Sequence, residues 1–263
     1  MINDVIVGGM SSIISRTLTA PIELYKTQKQ NPFIPYSTLS SVIKKEGFNN
    51  LWKGNLTNCL RILPQNGINY SLFNYFKSNV FQNIDNNELK NFISSNISGL
   101  IAMLSTYPLE TIKTRLSLQS SNKYYNNIYH AFKTIPNRDL YRGLNMSLIG
   151  FVPFNSITFT LYHYYKNELN KHNIEYNIQN FISGGLSGLS AITITYPTDL
   201  IRKRLQIQNF DKHVPKYNGI IDCIKKIYLT EGIKGLYRGL PASYVKIFFT
   251  FGIQFYLLDN RSK

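Results

Sequence analysis

Cysteine is almost absent from this chain: Cys59 and Cys223 are the only two in 263 residues. Neither shows metal-ligand spacing, so no disulfide framework, zinc site or other metal site is expected. Histidine is as sparse. His130, His163, His172 and His213 are scattered, and no P-loop or nucleophile elbow occurs, which argues against an enzyme. No run of about eighteen uninterrupted apolar residues is present. The mean hydropathy is −0.17, so a hydropathy scan alone finds weak membrane spans or none. Nothing at the start reads as a cleavable leader, because Asp4 is followed by a helical pattern from Val5 to Ile14. Acid is scarce too. Against 29 Lys and Arg stand 14 Asp and Glu, a net charge of +15, which admits nucleic acid, acidic lipid or an anionic solute as partner.

What the chain does contain is a signature used three times: Pro21-Ile-Glu23-Leu-Tyr-Lys26, Pro108-Leu-Glu110-Thr-Ile-Lys113 and Pro197-Thr-Asp199-Leu-Ile-Arg202, with prolines 87 and 89 residues apart. Even spacing means one structural unit repeated. Acid and base three apart share a helix face, and each follows a proline that can kink the helix. A second signature keeps step: Glu46-Gly47 with Leu51-Trp52-Lys53-Gly54, then Asp139-Leu-Tyr141-Arg142-Gly143, then Glu231-Gly232 with Leu236-Tyr237-Arg238-Gly239.

On these paired motifs the chain resembles the mitochondrial carrier family over nearly its whole length. The resemblance implies an all-α membrane protein of six transmembrane helices in three pseudo-threefold repeats, with short amphipathic matrix helices between the members of each pair. One carrier domain, 1–263, is expected, with repeats at about 1–83, 84–172 and 173–263. Long helices are predicted at roughly 3–30, 54–80, 91–119, 143–169, 177–207 and 239–260, and short ones near 36–46, 125–134 and 217–230. Backbone groups in lipid must be satisfied internally, which favours helix, and polar residues inside a span mark a solute path. Small residues such as Gly8, Ser12, Ser95, Gly99, Gly184 and Gly188 allow the odd helices to approach their neighbours closely.

Charge placement points the same way. Segments 31–53, 119–142 and 207–238 carry three, four and six Lys or Arg, whereas 78–90 and 167–178 carry only Lys90 and Lys171. This positive-inside bias puts both termini on the intermembrane-space side, and a nucleic-acid-binding protein would need no such alternation. The expected location is the mitochondrial inner membrane, reached by an internal targeting signal, as a multi-pass monomer with no nucleic-acid partner.

The resemblance also implies site residues. A matrix gate pairs each acid with the base of the next repeat: Glu23–Lys113, Glu110–Arg202 and Asp199–Lys26. Gln30 and Gln206 stand where the family places bracing glutamines, and Ser117 takes the third such position. Partly exposed pairs contribute about 0.2–1 kcal/mol each, a barrier that solute binding can outweigh. On the cytoplasmic side only Asp259 stays acidic, so Lys77–Asp259 is the one pair expected there, and the outward-open form should dominate without solute. Solute contacts fall on Arg16, Arg61, Gly150, Phe151 and Lys246, with Phe154 and Lys203 added. Three cations, Arg16, Arg61 and Lys246, read as a phosphate clamp, and Gly150 as a flat slot for a base stacked by Phe151 or Phe154. Trp52, Lys53, Gly54, Tyr141, Arg142, Gly143, Tyr237, Arg238 and Gly239, at the starts of the even helices, are expected to hold cardiolipin, and no cofactor beyond that structural lipid. The predicted function is exchange of anionic nucleotides, of adenine nucleotide or deoxynucleotide type, by alternating access. Coenzyme A, ATP-Mg/phosphate, and carboxylate or amino-acid transport are the alternatives.

Overall fold

The computed structural model describes residues 2–33, 38–119, 124–172 and 175–259, with the side chains of all of these except 2–8, 177 and 251–259. The described residues are helical throughout their ordered elements, with no strand among them. In chain order the α-helices are α1 (Ile2–Leu18), α2 (Ala20–Gln30), α3 (Leu39–Glu46), α4 (Asn55–Tyr75), α5 (Asn87–Leu118), α6 (Ile128–Thr134), α7 (Asn137–Leu140), α8 (Leu144–Asn170), α9 (Tyr176–Gln206), α10 (Ile220–Leu236) and α11 (Leu240–Asp259). All six predicted long stretches are present. The first is divided: Thr19 separates α1 from α2, whereas α5 and α9 run unbroken through Pro108 and Pro197.

Local chemistry explains several of these limits. Asn86, Thr38 and Asn127 cap α5, α3 and α6 by accepting backbone N–H bonds, with Asn86 Oδ1 serving Glu88 and Leu89 at 2.9 and 3.1 Å. Pro21 has no N–H, so the carbonyl four residues earlier is left without its helical donor. That carbonyl, Thr17 O, accepts from Trp52 Nε1 at 2.8 Å. The first proline thus ties the segment leading into α4 to the break in the odd helix.

The long helices close into a ring. α1 packs on α4 and α11, α4 on α5, α5 on α8, α8 on α9, and α9 on α11. At one end α2 and the C-terminal halves of α5 and α9 converge on one another. Buried apolar clusters lie around that end. Ile112, Leu116, Leu140 and Ile207 form one; Tyr196, Leu200, Ile201 and Ile227 form a second; Leu24, Val42 and Leu51 form a third. Further along the ring the pattern inverts: Leu60, Leu63, Ile149, Val152 and Phe248 face outward, as helices in lipid require. Among the described residues one helical stretch, Asn137–Asn170, is long and apolar enough by composition to cross a membrane.

Candidate functional site

Where the odd helices converge, the three repeated carboxylates meet the repeated bases across helices. Lys113 Nζ lies 3.0 Å from Glu23, and Lys26 Nζ 2.8 Å from Asp199. The third expected pair differs. Arg202 comes only to 4.0 Å from Glu110 and instead holds Asp199 of its own helix at 2.7 Å. Glu110 is taken by two other cations, Lys203 at 2.6 Å and Arg61 at 3.2 Å. The reason is reach: Lys203 is one residue on from Arg202, and its flexible ammonium meets Glu110, Thr114 and Gln206 together.

The cations read as solute contacts are drawn into the ring: Arg61, Lys203 and Lys246 each sit on a ring carboxylate, Lys246 Nζ being 2.5 Å from Glu23. Among the described residues Arg16 alone of the four stays off the acids, reaching Asn58 Oδ1 at 3.4 Å. The ring is also less exposed than expected. Glu110 and Lys203 side chains are 10% and 4% accessible, so the estimate for partly exposed pairs does not apply. In such burial the net gain of a pair is small, but removing one partner is costly.

The ring therefore sets Lys26, Lys113, Arg202, Lys203, Arg61 and Lys246 against Glu23, Glu110 and Asp199. Six cations facing three carboxylates leave a surplus of three positive charges, and Arg16 adds a fourth.

Gln30 Nε2 donates to Asp199 at 3.0 Å and to Tyr196 Oη at 3.1 Å. Gln206 Nε2 donates to Tyr107 Oη at 3.1 Å, while its Oε1 accepts from Lys203 and Thr114. Among the described residues Ser117 bonds only the carbonyl of Thr114. The two tyrosines were missed by sequence reasoning. Each directly precedes a repeat proline, a signal present in two repeats and replaced by Ala20 in the first. Tyr107 donates to the carbonyl of Arg142 at 3.1 Å and Tyr196 to that of Arg238 at 3.0 Å, locking the braces to the even-helix starts. Tyr196→Phe is expected to lower stability by about 1–2 kcal/mol, because it removes the hydrogen bond to the Arg238 carbonyl and one of the two acceptors of the Gln30 amide. An unchanged thermal unfolding curve would show that the lock is idle.

The residues expected to hold lipid are partly occupied by protein. Lys53 pairs with Glu46, Arg142 with Asp139 at 3.2 Å, and Arg238 with Glu231 at 2.8 Å. Tyr141 and Tyr237 stack on Tyr107 and Tyr196, with ring centroids 6.3 Å apart in each pair. Gly54, Gly143 and Gly239 have positive φ and start α4, α8 and α11; each abuts the carbonyl of a repeat base, Lys113, Arg202 and Lys26 respectively. Two buried arginines, also unanticipated, join repeats: Arg115 donates to the carbonyls of Gln206 and Gln208, and Arg204 to that of Gln30. At the other end, Lys77 lies 5.7 Å from the centroid of the Phe73 ring; the Asp259 side chain falls outside the described residues.

Gly150 is a further correction. A Cβ there would meet Thr198 Oγ1 at 2.4 Å, so the glycine permits close packing of α8 on α9 rather than opening a flat slot. It still borders a cavity of about 250 Å³ with Phe151, Phe154, Met146 and Thr198.

A family model described as "Mitochondrial carrier protein" matches residues 1–83, 85–173 and 175–262. The chain belongs to the mitochondrial carrier family. The carrier is 32% identical over 290 residues to "Mitochondrial adenine nucleotide transporter ADNT1" of Arabidopsis thaliana, covering 94% of this chain and 82% of that one. It is 28% identical over 273 residues to "Mitochondrial substrate carrier family protein P" of Dictyostelium discoideum, covering 97% and 91%. To "Mitochondrial thiamine pyrophosphate carrier 1" of Aspergillus niger it is 28% identical over 275 residues, covering 92% and 85%. Membership makes this carrier a transporter of small solutes, not an enzyme, and a multi-pass protein of the mitochondrial inner membrane.

Proposed function

We propose that this carrier exchanges phosphorylated anions of nucleotide type, adenine nucleotides or deoxynucleotides, by alternating access. The ring lies at the matrix end and both termini face the intermembrane space. The observation that carries the reading is the cation surplus around three carboxylates. A multiply charged phosphate chain meets that surplus, and the guanidinium groups of Arg16 and Arg61 suit phosphate oxygens. Two of the relatives are named for adenine nucleotides and for thiamine pyrophosphate, both phosphorylated.

Opening then works by competition. An arriving phosphate draws Lys246 from Glu23, and Arg61 and Lys203 from Glu110. The carboxylates lose their partners, the ring loosens, and the repeats rotate so that the opposite mouth closes. Solute binding moves this equilibrium only through its stronger hold on one state. At the ring's outer rim, Lys53, Arg142 and Arg238 with the even-helix N-termini are the proposed seats of cardiolipin headgroups.

The test is homo-exchange in liposomes with radiolabelled nucleotides, coenzyme A and oxoacids. Nucleotide exchange is expected, and Arg61→Ala should lower it about 10–100-fold, the loss of one charged hydrogen-bonding partner. Exchange of oxoacids with no phosphorylated solute accepted would overturn the proposal.

A further inference from the structure

Beyond the ring, between α4, α5, α8 and α9, lies a second and larger cavity of about 750 Å³. Among the described residues no Asp, Glu, Lys, Arg or His lines it. Its polar wall is instead a belt of carboxamides: Gln65, Asn66, Asn69, Asn91, Asn96 and Asn155. Phe92, Phe151, Phe159 and Tyr162 supply flat apolar surface between them.

Several of these amides have capacity to spare. Asn69 accepts from Ser98 Oγ at 2.7 Å, leaving its Nδ2 without a protein acceptor among the described residues. Asn155 donates to Asn96 Oδ1 at 3.1 Å, leaving its own oxygen without a donor among the described residues. Asn91 Oδ1 is buried without a partner among the described residues. Asn66 makes no hydrogen bond among the described residues. The cavity near Gly150 is different in kind: Lys26, Asp199 and Arg202 of the ring line it, and the hydroxyls of Ser147, Thr195 and Thr198 there are turned to other protein oxygens. Phe151 borders both spaces and its ring rests on Gly99, where a Cβ would come within 2.6 Å.

The belt is joined to the ring. Gln65 Oε1 accepts from Arg61 Nη1 at 2.5 Å. Arg61, Gln65 and Asn69 stand at successive four-residue steps on one face of α4, so Asn69 is about 12 Å along the axis from Arg61.

We propose that this amide-lined cavity seats an uncharged, hydrogen-bonding aromatic heterocycle borne by the same solute whose anionic end reaches the ring. The inference rests on the phosphorylated-solute reading above and names the other half of the molecule. A charged group would find no counter-ion among the described residues of this wall, and an aliphatic one would leave the amides unpaired. A heterocycle with donor and acceptor edges satisfies carboxamides in pairs, as Asn and Gln do with adenine, and its faces match the aromatic rings.

The test compares inhibition of exchange by nucleoside diphosphates and by inorganic pyrophosphate, which shares the anionic end and lacks the ring. Asn66→Leu and Asn155→Leu are the variants; the first removes no protein hydrogen bond among the described residues, so folding is not at stake. Each should weaken nucleoside diphosphate inhibition about 3–10-fold and leave that of pyrophosphate unchanged. Equal weakening of both, or of neither, overturns the cavity assignment while sparing the phosphorylated-solute reading. If neither compound inhibits the unaltered carrier, both proposals fall.

Discussion

Glu110→Gln is expected to destabilise the solubilised carrier by about 3–5 kcal/mol, the cost of stripping one partner from a buried ion pair. Glu110 is the most heavily engaged acid of the ring, approached by Lys203 at 2.6 Å, Arg61 at 3.2 Å and Arg202 at 4.0 Å. A neutral amide leaves those cations to repel one another in a site where water screens them little. Cys223 provides the readout. It is fully buried on α10, and desolvation pushes its thiol up to about 12, so it stays unreactive until the structure opens. In a Cys59→Ala background, thiol labelling during heating should show a fall in unfolding temperature on the order of 10 °C. A loss under about 1 kcal/mol would mean that the ring stands in water and does not seal the end of the pore.

Gly143→Ala should cost about 2–5 kcal/mol, although it adds a single methyl group. Two penalties combine. Gly143 has φ +84, where a side chain costs about 1–2 kcal/mol. The new Cβ would also come 2.9 Å from the carbonyl of Arg202 and 3.2 Å from Tyr107 Oη, an overpacking cost of about 1–3 kcal/mol. The same substitution at Gly67, helical and with nothing within 4 Å of its Cβ, should be neutral or stabilising by up to about 1 kcal/mol. Equal behaviour of the two variants in thermal unfolding would refute the close approach. The damage is also directional. Because Gly143 abuts the backbone of a ring cation, Gly143→Ala should favour the ring-open state, seen as greater thiol labelling of a cysteine placed at Ser147 on the inner face.

Much of the architecture was legible beforehand because it is periodic. Three prolines at near-equal spacing, each with an acid and a base on one helix face, specify three odd helices and a threefold meeting of charge. Tyr107 and Tyr196 were also visible, as residues preceding two of those prolines, but their meaning depends on carbonyls of Arg142 and Arg238 that lie 35 and 42 residues away. The two arginines that tie repeats together, Arg115 and Arg204, were hidden for the same reason: they bond main-chain oxygens, which carry no residue identity.

The linear order of residues was enough to establish the helices, their threefold grouping and which charges would gather at one end, since these follow from spacing and from local backbone chemistry. Partner choice within the gathering belonged to the tertiary structure. Whether Arg202 or Lys203 reaches Glu110, whether Gly150 opens a slot or admits Thr198, and whether six amides line one room all depend on ångström-scale distances between helices. Ion pairing and close packing fall off over those distances, and no spacing along a chain encodes them.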